Sequence, residues 1–97
     1  AIQTGLYPTT TGCWRNGIAL PVGTATLADH MAALGYQTGY IGKWHLATNR
    51  GRNLPTDRPQ ARFERRPVPV DRRGGYRDVW VAADALEHTS GPYGGHI

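Results

Sequence analysis

The stretch GYIGKWHLA, residues Gly39 to Ala47, sets an ammonium and an imidazole two residues apart just beyond an apolar run. A lysine offers a fixed positive charge to an oxyanion, and a histidine can donate a hydrogen bond or shuttle a proton. Lys43 and His45 together could therefore form an anion site with acid–base capability. Two plainer readings stand beside that one. A lysine at a strand end is often a solvated charge, and a histidine there is often a satisfied structural residue. Gly42, without a side chain, would let a ligand or another backbone come close.

The pair must be positioned by the elements around it. In LPVGTATLADHMAALGY, Thr26 is a good N-cap, and Asp29 three residues on imitates a capping box. Leu27, Met31 and Leu34 fall at i, i+4 and i+7, which makes one apolar stripe of a helix over 26–34. Gly35 fits the left-handed C′ position, and Tyr36 could fold back as the hydrophobic contact after it. The aromatic and β-branched content of Gln37 to Lys43 predicts a strand directly afterwards. Helix, glycine, strand is one half of an α/β unit, and open α/β sheets place ligands at the carboxyl ends of their strands. If the chain stays extended through His45, Ile41, Lys43 and His45 share one face. Lys43 and His45 are then about 7 Å apart, while Tyr40, Gly42 and Trp44 occupy the other face. Trp44 is thereby assigned to packing.

Elsewhere the signals are weaker. AIQTGLYPTTTG reads as the last turn of a helix ended by Gly5, with Pro8 barring continuation, and Thr9 to Gly17 is turn-rich. Thr48 to Arg73 is rich in arginine and proline and shows no periodicity. It reads as a long loop with short extended pieces near RPVPV, of the kind that is uncommon unless functional. RDVWVAADALEHTSG predicts a second helix, with Asp78 as N-cap, Val79, Ala83 and Leu86 as its stripe, and Gly91-Pro92 as its end.

Composition bounds the whole. Leu, Ile, Val and Phe together number 17 of 97 residues, against 20 for Gly and Pro, so any core is thin. A self-sufficient domain this short needs dense apolar packing, disulfides or a metal. The lone cysteine, Cys13, cannot form an internal disulfide, and the four histidines lack zinc spacing. The chain is therefore expected to be a piece of a larger protein, with no complete domain boundary visible in 1–97. Net charge is +4, and nine of the eleven basic residues, all arginine, lie between Arg50 and Arg77. That block could face anionic ligands or simply be a solvated loop, with Asp57, Glu64, Asp71 and Asp78 interleaved. Only Phe63 and Tyr76 interleave with the basic run, too few for a nucleic-acid stacking surface. No run is long enough to span a membrane, and no signal-peptide pattern or Asn-x-Ser/Thr site is present. The residues do not set a compartment.

The run LPVGTATLADHMAALGYQTGYIGKWHLA resembles the second signature region of the sulfatases, the formylglycine-dependent sulfuric ester hydrolases. The shared elements are Leu-Pro, the TLA helix start, the GY.T turn and GKWHL. TGLYPTTTG is similar to the family's segment after its nucleophile helix, and RRGGYRDVW and LEHTS resemble bacterial members. The resemblance is weakest across Arg50 to Pro67. It implies an alkaline-phosphatase-like α/β fold and makes residues 1–97 a fragment of the N-terminal catalytic sulfatase domain, holding a helix and strand of the large central sheet, the arginine-rich loop and a second helix. It also implies hydrolysis of a small-molecule or carbohydrate sulfate ester by the intact enzyme, with a divalent metal, usually calcium. Lys43 matches the family's sulfate-contacting lysine and His45 its formylglycine-bonded histidine.

The family's first signature, Cys-x-Pro-x-Arg or Ser-x-Pro-x-Arg, is absent from these residues and by family spacing would end just before Ala1. Cys13, in the context CWRNG, does not replace it and reads as a small half-buried residue. The metal-binding acids and the second catalytic histidine are likewise not found here, so the nucleophile and metal would come from the remainder of the sulfatase chain and these 97 residues alone would be inactive. Two other readings remain open: a phosphonate or phosphate ester hydrolase of the same superfamily, and a non-catalytic anion-binding fragment or pseudoenzyme.

Overall fold

A computed structural model describes residues 1–50 and 60–89. Its elements in chain order are α1 (Pro8–Thr11), α2 (Leu27–Ala33), β1 (Gly39–Lys43), a 3-10 turn (Val70–Arg72), β2 (Val79–Ala83) and α3 (Leu86–Thr89). The N-terminal turn is a single one, closed by Gly5 N–H donating to the Ala1 carbonyl at 2.8 Å. Pro8 opens α1 rather than merely ending what precedes it, since proline suits a first helical position.

α2 starts where the capping signal places it. Thr26 N–H donates to Asp29 Oδ2 at 2.9 Å, and Asp29 N–H returns to Thr26 Oγ1 at 3.4 Å. It stops in a Schellman motif, with Gly35 N–H on the Ala32 carbonyl and Tyr36 N–H on that of Met31. The expected apolar stripe is not the buried face. Leu27, Leu34 and Tyr36 are exposed, whereas Ala28 is buried. The helix face that meets the rest of the chain is chosen by its cap. Thr26 Oγ1 donates to the Gly74 carbonyl, and Asp29 lies against Gly75. So close an approach admits a small residue such as Ala28 and turns the long side chains away.

β1 and β2 form a parallel two-stranded sheet in the register Gly39↔Val79 through Lys43↔Ala83. This corrects the second-helix expectation: Val79 to Ala83 is strand, and helix begins only at Leu86. Alanine, leucine and glutamate in ADALE carry helix propensity, but Val-Trp-Val favours a pleated surface once a partner strand is at hand. Asp78 caps no helix. It locks the strand start, its Oδ2 accepting from Thr38 N–H at 2.7 Å while Asp78 N–H and Val79 N–H reach the Thr38 carbonyl. The pairing lies some forty residues away in sequence, where no local signal reports it.

A parallel pair needs a crossover of a dozen residues or more, and the arginine- and proline-rich segment is that crossover. Its expected loop character holds where it is described, with an isolated antiparallel bridge Asn49↔Ala61 and the 3-10 turn; residues 51–59 lie outside the described part. RPVPV forms no strand, yet Val68 within it is fully buried. The core joins Ala28, Trp44, Ala47, Val68 and Tyr76, with Tyr40, Leu46, Phe63 and Trp80 against them. Aromatic rings compensate for scarce aliphatics. Tyr40, Trp44, Tyr76 and Trp80 pack with centroids 5.0–6.0 Å apart, within the favourable range for edge and offset contacts. The other sheet face, carrying Ile41, Val79 and Val81, is exposed.

The residues after β1 are the most heavily tied. Asp84, fully buried, accepts from Ala47 N–H at 2.9 Å and Thr48 N–H at 3.0 Å. Asn49 Oδ1 accepts from Ala19 N–H at 2.6 Å, and Leu20 N–H donates to the Leu46 carbonyl. Asp84→Ala should strip two buried donors of their acceptor, at roughly 1–3 kcal/mol each. Asp84→Asn, which keeps one acceptor oxygen, should lose clearly less. Denaturant unfolding of the full-length protein checks the order; equal losses would contradict it. Gly75 supplies a second test. It has φ +86°, and a Cβ there would collide with the Asp29 carboxylate. Gly75→Ala should cost roughly 2–3 kcal/mol through left-handed strain plus the lost cap, read as a lowered melting temperature.

Candidate active site

Lys43 is the last residue of β1, and its carbonyl accepts from the Tyr40 hydroxyl at 2.7 Å. Burial, and after it the neighbouring Tyr76, holds the Tyr40 phenol above its ordinary value, so it remains a donor to that carbonyl through the neutral range. The Lys43 ammonium pairs with Glu87 Oε1 at 2.8 Å, from the first turn of α3. Both side chains are substantially solvated, at 38% and 55% exposure. Such a pair is worth little as stability. It orients the ammonium without neutralising it in a dry environment, so an incoming anion can compete for it.

Trp44 continues the ladder by one bond, its N–H on the Ala83 carbonyl at 2.9 Å. Its ring is buried among the aromatics, and Nε1 donates to the Arg72 carbonyl at 3.0 Å. The packing role read from the sequence is the one it has. His45 then breaks the extended path: its φ is +57°, the only non-glycine residue with positive φ among those described. The alternation that would have put His45 on the face of Lys43 ends one residue too soon. A left-handed histidine is uncommon and mildly strained, and such residues persist where the surroundings over-determine them. Here the bonds to Leu46, Ala47, Thr48 and Asn49 do so from the very next residue onward.

The turn brings His45 to a cleft of about 400 Å³ shared with Cys13, Trp14, Arg15, Asn16 and Ile18. Lys43 and His45, two residues apart in the chain, thus face different described neighbours: Glu87 on one side, the 13–18 loop on the other. Cys13 is half-buried and its thiol donates to the Ala19 carbonyl at 3.2 Å, a structural thiol as read from sequence. Among the described residues no three His, Cys, Asp or Glu side chains are grouped to hold a metal ion. No step below is routed through one.

Sequence reasoning missed Glu87 and Asp84, the partner of Lys43 and the anchor behind His45. Both sit in the stretch read as a continuous helix, where a glutamate and an aspartate look like solvated helix surface. The signal that could have found Asp84 was its place just past a Val-Trp-Val-Ala-Ala run, at the carboxyl end of what is a strand.

The model of the family described as Sulfatase matches residues 1–79. An ulvan-active sulfatase of Formosa agariphila is 35% identical over 94 residues, 96% of this chain and 16% of that protein. An uncharacterized sulfatase of Escherichia coli, YidJ, is 42% identical over 43 residues, 44% of this chain and 9% of that protein. Arylsulfatase A of Bos taurus is 41% identical over 63 residues, 64% of this chain and 12% of that protein. The chain spans about a sixth or less of the length of these relatives, and no solved structure matches it. A family match across both the capped helix and the strand that ends in Lys43, with relatives that share the name, means that this chain belongs to the sulfatase family.

Proposed function

We propose that the intact enzyme hydrolyses a sulfate ester and that Lys43 and His45 act in its active site. The observation that carries this is their placement at the carboxyl end of a parallel strand inside a sulfatase-family match, which is where α/β sheets assemble their ligand sites. The fold is the alkaline-phosphatase-like α/β type of the family, with β1 and β2 as two strands of its central sheet. The names of the relatives suggest that aryl sulfates and a sulfated polymer are both worth testing as substrates.

Cleavage of a sulfate ester puts charge on the nonbridging oxygens and on the departing oxygen. A preorganised cation stabilises that charge more than water does. In this reading Lys43 exchanges its contact with Glu87 for the sulfate, binding the anion before and during the reaction. His45, held by a fixed backbone turn at the edge of its cleft, takes or returns a proton at the attacking or departing oxygen. A formylglycine, when present, would supply the oxygen nucleophile. In this reading the formylglycine and a calcium ion would both be held by other residues of the enzyme.

The test is a set of variants in the full-length enzyme. Lys43→Ala should raise KM and lower kcat for an aryl sulfate, since the cation faces the anion throughout. His45→Ala should lower kcat by roughly 10²- to 10⁴-fold and remove one limb of the pH–rate profile. His45→Gly should be equally inactive, yet more stable than His45→Ala because glycine tolerates the left-handed backbone. Trp44→Phe should keep most activity. Near-normal turnover by His45→Ala, with Trp44→Phe inactive, would refute the assignment. Comparing rates for an aryl sulfate and an aryl phosphate diester tests the ester class.

A further inference from the structure

Beside the His45 cleft lies a second, strongly basic one of about 700 Å³, bounded by Arg50, Arg62, Glu64, Arg65 and Arg66. We infer that this cleft binds a second anionic group of the substrate, so that the ester taken is a polyanion, a sulfated polymer rather than a singly charged small ester. The inference rests on the proposed sulfatase reading and specifies its substrate class.

The charge balance is the first argument. The single carboxylate is already engaged, with Arg50 Nε on Glu64 Oε1 at 2.8 Å. Burial would raise the Glu64 carboxyl, but its backbone hydrogen bond and Arg50 outweigh that and hold it below its ordinary value. It remains charged and committed to Arg50. Arg62 adds to the field that keeps Glu64 charged but forms no direct ion pair, and neither does Arg65, among the described residues. Arg66 is folded back, donating to the Arg62 carbonyl at 2.8 Å. Gathering these guanidiniums in one concavity is self-repulsive, and a sulfate or carboxylate relieves it. Their planar forks also match two oxygens of such a group at once.

Position is the second argument. Arg50 N–H donates to the Gly17 carbonyl at 2.9 Å, and a Cβ on Gly17 would lie 3.0 Å from Arg50 Cδ. The residues on either side, Asn16 and Ile18, line the His45 cleft. The loop that lines the His45 cleft is thus in direct contact with Arg50, which borders the basic cleft, so the two clefts are joined through that residue. Nucleic acid fits less well. The basic segment offers no free stacking face: Phe63 is flanked by Arg66 and Arg72 at 5.7 and 5.4 Å, and Tyr76 is buried.

The experiment compares full-length enzyme with the double variant Arg62→Gln, Arg65→Gln, both in a His45→Ala background that slows turnover. Binding of dextran sulfate, inorganic sulfate and a single-stranded oligonucleotide is measured over a salt series. Expected is at least a tenfold loss of dextran sulfate affinity and a log–log salt slope reduced by about two. The loss for inorganic sulfate, which occupies one site at a time, should be much smaller. Unchanged dextran sulfate affinity and slope would overturn the inference, as would equal losses for polymer and single ion, or tighter binding of the oligonucleotide than of dextran sulfate. If the unmutated enzyme hydrolysed no sulfate ester, the functional reading would fall, while these binding data would still decide the cleft.

Discussion

The grip of the Asp84 carboxylate on two backbone N–H groups is the constraint on which the rest depends. Asp84 follows β2 directly, and Ala47 and Thr48 follow His45 by two and three residues. One buried side chain therefore fixes the exit of both strands relative to each other. A charged group removed from water is unfavourable unless fully hydrogen-bonded, and two charge-assisted bonds to otherwise unpaired donors meet that need. With 47 and 48 held, Asn49 reaches Ala19, Arg50 reaches Gly17, and Arg72 Nη1 reaches the Ala47 carbonyl. The 13–20 loop, the crossover and the strand end are tied to one short run of backbone.

That run explains how a left-handed histidine is sustained. On its own the αL conformation disfavours any residue with a Cβ by about 1–2 kcal/mol. Trp44 before it is pinned by its ladder bond and its indole N–H; Leu46 after it accepts from Leu20. With both neighbours fixed, His45 has no other way to join them. The strain is local, and the bonds that sustain it are made by the neighbouring backbone, so the turn is held without a side-chain hydrogen bond from His45 to another described residue. Under the proposed function this suits a group whose partners would be a substrate and a nucleophile.

How much was legible in the sequence follows from the range of the signals. The capping box at Thr26 and Asp29, the turn at Gly35 and the strand entering Lys43 are written within four to eight residues, and each is found. Trp44 as packing follows from strict alternation, which holds through residue 44. The helix stripe failed because burial is decided by which face touches Gly74 and Gly75, some forty-five residues away. The Val79–Ala83 strand failed for the same reason: its partner is forty residues distant, while its helix-favouring neighbours are adjacent. His45 was singled out by type, yet its backbone turn depends on Asp84, whose role no local pattern announces.

The two sheet faces carry a further consequence. One is covered by four aromatic rings and a crossover, the other shows Ile41, Val79 and Val81. Parallel strands are normally covered on both faces, and a two-stranded sheet is marginal by itself. Lys43 belongs to the open face by alternation with Ile41, and its ammonium is steadied there by Glu87 from α3. His45 is directed by its turn toward the 13–18 loop instead. In the proposed enzyme, then, the anion-binding lysine and the proton-handling histidine are set by two independent supports, a surface ion pair and a buried carboxylate. A disturbance of α3 reaches Lys43 first, and a disturbance of Asp84 reaches His45 first. Binding and proton transfer are in this way mechanically separable, although the two residues that perform them have only Trp44 between them.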